Sequence, residues 1–390
     1  EVMPPSNSSP AVSELASSSS RSIAWMSAAI VVAIMLSYAG SFGVPFLLDD
    51  GPSIVENASI RSLRAVAEVL APPAGGGTGG RPLLNLSFAV NYAISGLEPW
   101  SYHGVNLLVH VLAALTLFGV VRLTLLITPM SSRWGGSAVW FAGLVALIWG
   151  VHPVQTQSVT YISQRAESLM GLFYLLTLYC FIRGLETKPR VWHTLAIATC
   201  LLGTLTKEVI VTAPVLVLLY DRAFVSGSFV GALRRRKLFY TSLGATWLMV
   251  GWMLLDVRQR GVGFGQGMSA FHYALTQCEA VLLYLKLCLW PSPLIFDRSS
   301  EVVAGVGEVV PELLVLALLL AASAWASFRY ARFGFVCACF FVLLAPTSSV
   351  VPITGATVAE NRIYLPLAAV TTLVVGAFFF FRPRFGISLL

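Results

Sequence analysis

Charged side chains are scarce in this sequence. Only 11% of its 390 residues are Asp, Glu, Lys or Arg, whereas soluble domains carry about 25%. Hydrophobic residues make up 57% of the chain, and the mean hydropathy is +0.79. These values exclude an ordinary soluble domain and indicate an all-α polytopic membrane protein. The net charge of +7 does not call for a nucleic-acid partner, because the basic residues cluster in short loops of the kind that face the cytoplasm.

Paired cysteine motifs are also missing. None of the six cysteines has a CxxC partner or a neighbouring histidine cluster, and each lies inside an apolar segment. We therefore expect no disulfide and no metal site, and we interpret these cysteines as small lipid-facing or core residues. They are Cys180, Cys200, Cys278, Cys288, Cys337 and Cys339.

Composition divides the chain into three parts. Residues 1–21 are rich in Ser and Pro, which predicts a disordered tail. Residues 22–382 form the membrane domain, and 383–390 a short cytoplasmic end. The first apolar segment has no clear cleavage site, so we expect it to be a retained helix rather than a signal peptide.

Apolar segments that approach the length needed to cross about 30 Å of hydrocarbon recur along the membrane domain. They lie at 22–43, 104–123, 137–151, 168–185, 191–206, 208–224, 238–256, 308–328, 333–346 and 363–381. An eleventh, 271–290, is ambiguous. If it does not cross, every basic cluster, from Arg122 to Arg384, shares the cytoplasmic side. We therefore predict about ten transmembrane helices plus one re-entrant or interfacial helix.

The longest outer loop, 49–102, is predicted to hold two interfacial helices. One covers Ser53–Leu70, where apolar residues recur near helical spacing, and the other covers Leu83–Ile94. The glycine-rich segment 71–80 between them is expected to be a mobile hinge.

Asp49 and Asp50 lie where the first apolar segment meets water. Each carboxylate would cost about 2.5–3.5 kcal/mol at the bilayer centre, and a helix end is where a membrane enzyme would keep a general base. A solvated turn in Asp-Asp-Gly-Pro is the alternative. The predicted topology places further ionisable residues on the same side, among them Arg81 and His103, which indicates either a polar cavity or a scatter of loop charges.

Two short segments add candidates on that side. His152, Arg165 and Glu167 follow a helix broken at Pro153, although a histidine before a proline is often only a hydrogen-bonded helix end. Lys207 and Glu208 lie between two apolar segments with almost no loop. They either pair with each other or leave Lys207 free to bind a phosphate.

The segment before the last apolar span carries three more candidates. Glu360 and Arg362 directly precede that span, with Tyr364 near its start. Arg362 either reaches lipid head groups or binds a phosphate or diphosphate, and we favour the second. Asp297, in an earlier proline-rich segment, is interpreted as structural.

The ordered set of these segments resembles a known family. The matching residues are Asp49-Asp50, Arg81-Pro82-Leu83, Tyr102-His103 with Asn106 and His110, His152-Pro153-Val154, Arg165-Ala166-Glu167, Thr206-Lys207-Glu208, Trp290-Pro291 and Glu360-Asn361-Arg362-Ile363-Tyr364-Leu365-Pro366. From about Phe46 to Phe381 they are similar to the membrane domain of the transmembrane and tetratricopeptide-repeat O-mannosyltransferases and their bacterial relatives. That family usually carries helical repeats after this domain, and the present sequence stops at Leu390, which leaves the acceptor open.

The resemblance implies a GT-C glycosyltransferase of a bacterial inner membrane. Such an enzyme moves a sugar, with mannose as the candidate, from a polyprenyl-phosphate carrier to a protein hydroxyl or another acceptor on the periplasmic face. Asp49 or Asp50 would be the general base. Lys207, Arg165, Arg362, His152, Glu208 and Arg81 would bind the lipid-phosphate donor, while His103, Glu167, Glu360 and Tyr364 would support the acceptor or the fold.

We expect no obligatory cofactor or metal, since converging cations can stabilise a phosphate leaving group. The expected partners are the donor lipid, a protein acceptor, membrane lipids and other members of a membrane complex. Two further classes stay open. A secondary transporter should show an internal repeat with broken helices, which we do not find. A non-catalytic GT-C-like subunit or scaffold would keep the fold without the activity.

Overall fold

In a computed structural model, the structure describes residues 10–72, 77–127, 130–253, 263–265, 267–298, 302–353 and 355–381. The described helices of nine or more residues are α1 Pro10–Tyr38, α2 Pro82–Ser95, α3 Pro99–Leu126, α4 Ala138–Val151, α5 Arg165–Glu186, α6 Pro189–Thr204, α7 Ala213–Asp221, α8 Lys237–Met253, α9 Ala270–Leu289, α10 Val310–Arg329, α11 Ala331–Leu344 and α12 Pro366–Phe381. Every predicted apolar segment coincides with one of these helices, so the all-α polytopic fold is confirmed.

Within the described ranges, six helical segments are long and apolar enough to span a membrane: Ser20–Gly43, Pro99–Leu126, Ser131–Val151, Ile162–Glu186, Glu208–Ser226 and Val310–Arg329. α11 and α12 are shorter apolar helices. α9 is 20 residues long and is not among the six within the described ranges. Its predicted re-entrant position, and the number of about ten crossings, stay predictions.

The structure differs from the expected tail at the N-terminus. Residues 10–21 continue α1, because extending an existing helix costs far less than nucleating one. The remaining tail, 1–9, and the predicted cytoplasmic end, 383–390, lie outside the described residues.

α5 occupies the centre of the bundle. It packs against α3 on one side and α6 on the other, while α4 joins α1, α3 and α12. Gly171 of α5 is a point of close approach, since a Cβ atom there would lie 2.6 Å from the Tyr364 ring. α8 and α10 are peripheral, and α10 is largely exposed along the face that lipid would cover. The central position of α5 carries its first turn to the junction of the bundle and the outer loop.

The outer loop departs from its predicted first helix. In place of one helix over Ser53–Leu70, the chain forms short turns at Gly51–Val55 and Ala58–Ile60 and a five-residue helix at Val66–Leu70. The Asn57 side chain accepts hydrogen bonds from the Ser59 backbone and hydroxyl, and such local bonds compete with a helix.

The predicted second helix is confirmed as α2, but it is not a purely interfacial one. Leu84, Phe88 and Ala89 are buried with Tyr102 and Ile162 in a cluster separate from the main core. Residues 73–76 of the predicted hinge lie outside the described residues. A few residues later, the loop is attached to the end of α6, because the Leu83 N–H donates to the Leu205 carbonyl at 3.0 Å. The outer loop therefore forms a cap on one end of the bundle.

A substitution at Gly334 tests the close packing of α10 against α11. A Cβ atom at Gly334 would lie 2.2 Å from the backbone nitrogen of Ser327, so the helices must separate to admit it. We expect Gly334→Ala to lower the free energy of unfolding by about 1–3 kcal/mol, measured by thermal unfolding in detergent. The control, Gly244→Ala in α8, has open space at its Cβ position and should not destabilise. Equal stability of both variants would contradict the hairpin geometry.

Candidate active site

The segment Tyr161–Glu167, here called the central segment, contacts every other part of the candidate site. It comprises a short turn, Ile162–Gln164, and the first residues of α5. Its neighbours are the acidic pair, the outer-loop helix α2, the turn before α7 and the turn before α12. Four regions that are distant in sequence therefore meet at one end of the bundle.

The two aspartates of the acidic pair lie in different environments. Asp50 is buried, and its carboxylate accepts hydrogen bonds from the backbone N–H groups of Leu47 at 3.0 Å and Ser163 at 2.7 Å. Burial raises the pKa of Asp50 above its usual value, although these hydrogen bonds and His103 oppose the shift. Asp49 is exposed, and its backbone N–H donates to the Tyr161 hydroxyl at 2.8 Å.

Among the described residues, no hydrogen bond to the Asp49 carboxylate is found, so that carboxylate is open to solvent or substrate. The pair is thus not a loose loop turn, because two residues of the central segment hold it against the bundle.

His103 lies beneath the acidic pair. Its Nε2 atom is 3.0 Å from the Val44 carbonyl oxygen, while its buried Nδ1 atom has no hydrogen-bond partner within the described part of the chain. The contact ties α3 to the segment that precedes Asp49, which fits the supporting role predicted for His103.

Arg165 is fully buried, and each of its three side-chain nitrogens donates at least one hydrogen bond. Its Nε donates to Asn106 at 2.6 Å, one terminal nitrogen donates to Asn91 at 2.7 Å, and the other donates to the Tyr102 carbonyl at 3.0 Å. The guanidinium also lies 4.6 Å from the Phe88 ring centre. With every nitrogen engaged and no exposed surface, Arg165 cannot contact a donor phosphate in this conformation. It joins α2 and α3 to the central segment, and its donor-binding role stays a prediction.

Lys207 and Glu208 do not pair with each other. Lys207 donates to the buried Glu167 carboxylate of the central segment, and Arg81 donates to both oxygens of Glu208 at 3.2 and 3.3 Å. The ion pairs that the described residues show for Lys207 and Glu208 are therefore with other neighbours, in place of the mutual pair considered from the sequence. Lys207 keeps 12% of its side chain exposed and Arg81 keeps 16%, so both cations can still be reached.

Arg362 is buried, and no carboxylate of the described residues forms an ion pair with it. Its side chain donates to the Thr357 carbonyl at 3.0 Å and to the Ala356 carbonyl, and lies 3.3 Å from the Tyr273 hydroxyl. Burial opposes its charge, but Tyr284, Tyr273 and Glu167 outweigh that effect and raise the pKa of Arg362. Lipid snorkelling does not describe this buried side chain. Its positive charge instead lies close enough to Glu167 to interact electrostatically with it.

Glu360 holds two parts of the fold together. It accepts hydrogen bonds from the Ile295 N–H at 2.9 Å and from Arg298 Nε at 2.9 Å. These bonds clamp the proline-rich segment 290–298 to the turn before α12. Asp297, interpreted from the sequence as structural, has an exposed side chain in the same segment.

Amides that the sequence did not single out join the central segment to the same turn. Asn361 donates its side-chain N–H to Gln164, and its backbone N–H donates to Gln157 at 2.6 Å. The Asn361 side-chain oxygen is buried without a partner in the described part of the chain. Uncharged amides carry no sequence signal of catalysis, and only the Glu360-Asn361-Arg362 order pointed to this position.

Tyr364 and His152 form hydrogen bonds within the fold. The Tyr364 hydroxyl lies 3.0 Å from His110 Nδ1, and its carbonyl accepts from Trp149 Nε1 at 2.9 Å. His152 accepts from the Val154 N–H at 3.3 Å, and burial lowers the pKa of His152, so the ring is neutral at pH 7. This contact is the helix-end hydrogen bond that the sequence left as an alternative.

Taken together, the fold and site define a polytopic α-helical membrane protein with an acidic pair and several cations gathered at one end. Among the described residues, no group of three or more His, Cys, Asp or Glu side chains is arranged to hold a metal ion. No protein-family profile matches the chain, and no solved structure matches it.

The chain is similar in sequence to several protein O-mannosyl-transferases. Protein O-mannosyl-transferase tmtc2 of Xenopus laevis is 27% identical over 305 residues, covering 69% of this chain and 34% of that protein. Tmtc2 of Drosophila melanogaster is 30% identical over 287 residues, covering 68% and 29%. TMTC2 of Homo sapiens is 38% identical over 115 residues, covering 29% and 12%.

The chain is a homologue of these protein O-mannosyl-transferases, as its motifs predicted. It spans about a third of the length of the tmtc2 protein of Xenopus laevis.

The ion pair between Lys207 and Glu167 allows a stability test. Because Glu167 is buried, removing either partner leaves an uncompensated charge, which costs about 3–5 kcal/mol. We expect Glu167→Gln and Lys207→Met each to lower the free energy of unfolding, and the double variant to recover most of the loss. Thermal unfolding in detergent measures all three.

The control is the more accessible pair Arg183 and Glu186, whose side chains are 32% and 39% exposed, where Arg183→Met and Glu186→Gln should change stability by less than about 1 kcal/mol. Additive losses at 167 and 207, without recovery in the double variant, would contradict the pairing.

Proposed function

We propose that this chain is a GT-C-type glycosyltransferase that moves a sugar from a polyprenyl-phosphate carrier to a protein hydroxyl at the end of the bundle where the acidic pair lies. The observation that carries the proposal is the contrast between Asp49 and Asp50. One carboxylate is exposed and the other is buried, and both are anchored to the segment that also holds Lys207 through Glu167. The names of the relatives, protein O-mannosyl-transferases, support mannose as the sugar.

In this proposal Asp49 is the general base and Asp50 is a positioning residue. A base must reach the proton that it removes, directly or through one water, and only the Asp49 carboxylate is exposed. Asp50 uses its oxygens on the backbone of Leu47 and Ser163 and so fixes the turn that carries Asp49.

The proposed transfer needs one base for the acceptor proton and cations for the leaving phosphate. The acceptor oxygen attacks the anomeric carbon as its proton passes to Asp49, the bond between that carbon and the phosphate oxygen breaks, and the lipid phosphate leaves. Lys207 and Arg81, both partly exposed beside the outer loop, would bind the leaving phosphate by charge-assisted hydrogen bonds. Arg362 adds a fixed positive charge behind Glu167, and the proposal needs no metal.

The base is tested by Asp49→Asn. This change keeps the size of the side chain but removes its basicity, so kcat should fall by about 10²–10⁴-fold with little change in KM for the donor lipid. The assay follows transfer of labelled mannose from polyprenyl-phosphate mannose to a Ser/Thr peptide or a protein acceptor, with the purified protein in liposomes.

The matched control is Glu56→Gln, which removes an exposed carboxylate from the same outer loop and should keep full turnover. Wild-type turnover by Asp49→Asn would exclude Asp49 as the base. Binding of the donor lipid without turnover by the wild-type protein, across sugar donors and acceptors, would instead favour the non-catalytic subunit.

Tyr161→Phe separates positioning from catalysis. The change removes the hydroxyl that accepts the Asp49 backbone N–H and leaves the ring contact with Phe296 intact. We expect kcat to fall about tenfold, because a misplaced base loses part of its effect, while the midpoint of thermal unfolding stays close to wild type. Unchanged kcat would show that this hydrogen bond does not position the acidic pair.

A further inference from the structure

A long apolar groove runs between the helices on the lipid side of the bundle. Its volume is about 1120 Å³, above the roughly 300–1,000 Å³ of ordinary small-molecule pockets. α3, α5, α7, α11 and α12 form its walls, with side chains that include Leu117, Tyr174, Leu216, Leu343 and Ala369. Walls of this kind suit long hydrocarbon chains.

One end of the groove is positively charged. Arg133 and Arg332 both line it, both side chains are exposed, and neither forms an ion pair with another residue in the described ranges. The Arg133 guanidinium stacks 5.3 Å from the Trp134 ring centre and 5.8 Å from that of Phe380. Trp134 and Tyr330 line the same end, and such aromatic residues are enriched at the depth of lipid head groups.

This charged end is remote from the candidate active site. α12 begins at Pro366, close to Arg362, and reaches the groove's charged end at Phe380 and Phe381. Its 16 residues span about 24 Å at 1.5 Å per residue. A lipid phosphate held by Arg133 and Arg332 would therefore lie at the other end of the bundle from Asp49 and Lys207.

We infer that the groove binds an anionic phospholipid as a structural ligand. Its phosphate lies between Arg133 and Arg332, and its acyl chains lie between α3, α5, α11 and α12. Charge complementarity selects this occupant, because apolar walls alone do not discriminate among lipids, whereas two guanidinium groups without an ion pair among the described residues bind phosphate by charge-assisted hydrogen bonds. The site would take a lipid of the leaflet opposite the acidic pair and is independent of the proposed sugar transfer.

Native mass spectrometry tests the selectivity. The purified full chain is released from nanodiscs that contain equal amounts of phosphatidylglycerol and phosphatidylcholine, and the retained lipid is identified. We expect wild type to retain phosphatidylglycerol preferentially, and Arg133→Gln/Arg332→Gln to lose roughly an order of magnitude of that preference. The matched control is Arg234→Gln/Arg235→Gln, which removes two exposed arginines outside the groove and should keep it.

A second variant blocks the groove without touching its charges. Ala377 lines the groove from an exposed position, so Ala377→Trp should reduce retention of phosphatidylglycerol while the protein stays folded. Three results would overturn the inference: no preference in wild type, an equal loss in the Arg234/Arg235 control, or displacement of phosphatidylglycerol from the groove by polyprenyl phosphate at equal concentration. The last would assign the groove to the donor lipid.

Discussion

The buried guanidinium of Arg165 is the interaction on which the candidate site depends. A full positive charge lies there without an exposed surface, and moving such a charge out of water is tolerated only when its donors are satisfied. Two asparagines, a serine and a backbone carbonyl satisfy them. Since those acceptors belong to α2 and α3, one side chain joins the outer loop, the bundle and the central segment.

That junction explains why the two aspartates differ. With the central segment fixed by Arg165, the backbone of Ser163 is in place to bind Asp50 and the hydroxyl of Tyr161 to bind the Asp49 backbone. The Asp50 carboxylate is occupied by backbone hydrogen bonds, whereas the Asp49 carboxylate is exposed. The same rule governs the cations, because Lys207 and Arg81 have acidic partners and some exposure, whereas Arg165 and Arg362 are buried among neutral acceptors.

Sequence patterns predicted the positions of the helices better than they predicted the side-chain contacts. Apolar segment length located the long helices of the described bundle other than α2, and the order of short motifs predicted both the relatives and the residues that meet at one end. The pairing of Lys207 with Glu167 rather than Glu208 depends on which way each side chain leaves a tight turn, and no linear pattern encodes that. The broken helix at Ser53–Leu70 has a similar cause, since apolar spacing does not reveal that the Asn57 side chain binds its own backbone. The sequence also does not reveal that Arg165 joins α2 and α3 to the central segment, because a basic residue at a membrane edge has the same sequence signature as a phosphate ligand or as a structural contact.

The central claim is that the acidic pair and the reachable cations serve one reaction at one end of the bundle. The most direct measurement is an experimental structure of the full chain with a polyprenyl-phosphate sugar and an acceptor peptide bound. We predict that the donor phosphate lies within hydrogen-bond distance of Lys207, and that the acceptor hydroxyl lies about 3 Å from the Asp49 carboxylate. A donor phosphate bound at the opposite end of the bundle, with Asp49 facing only solvent, would contradict it.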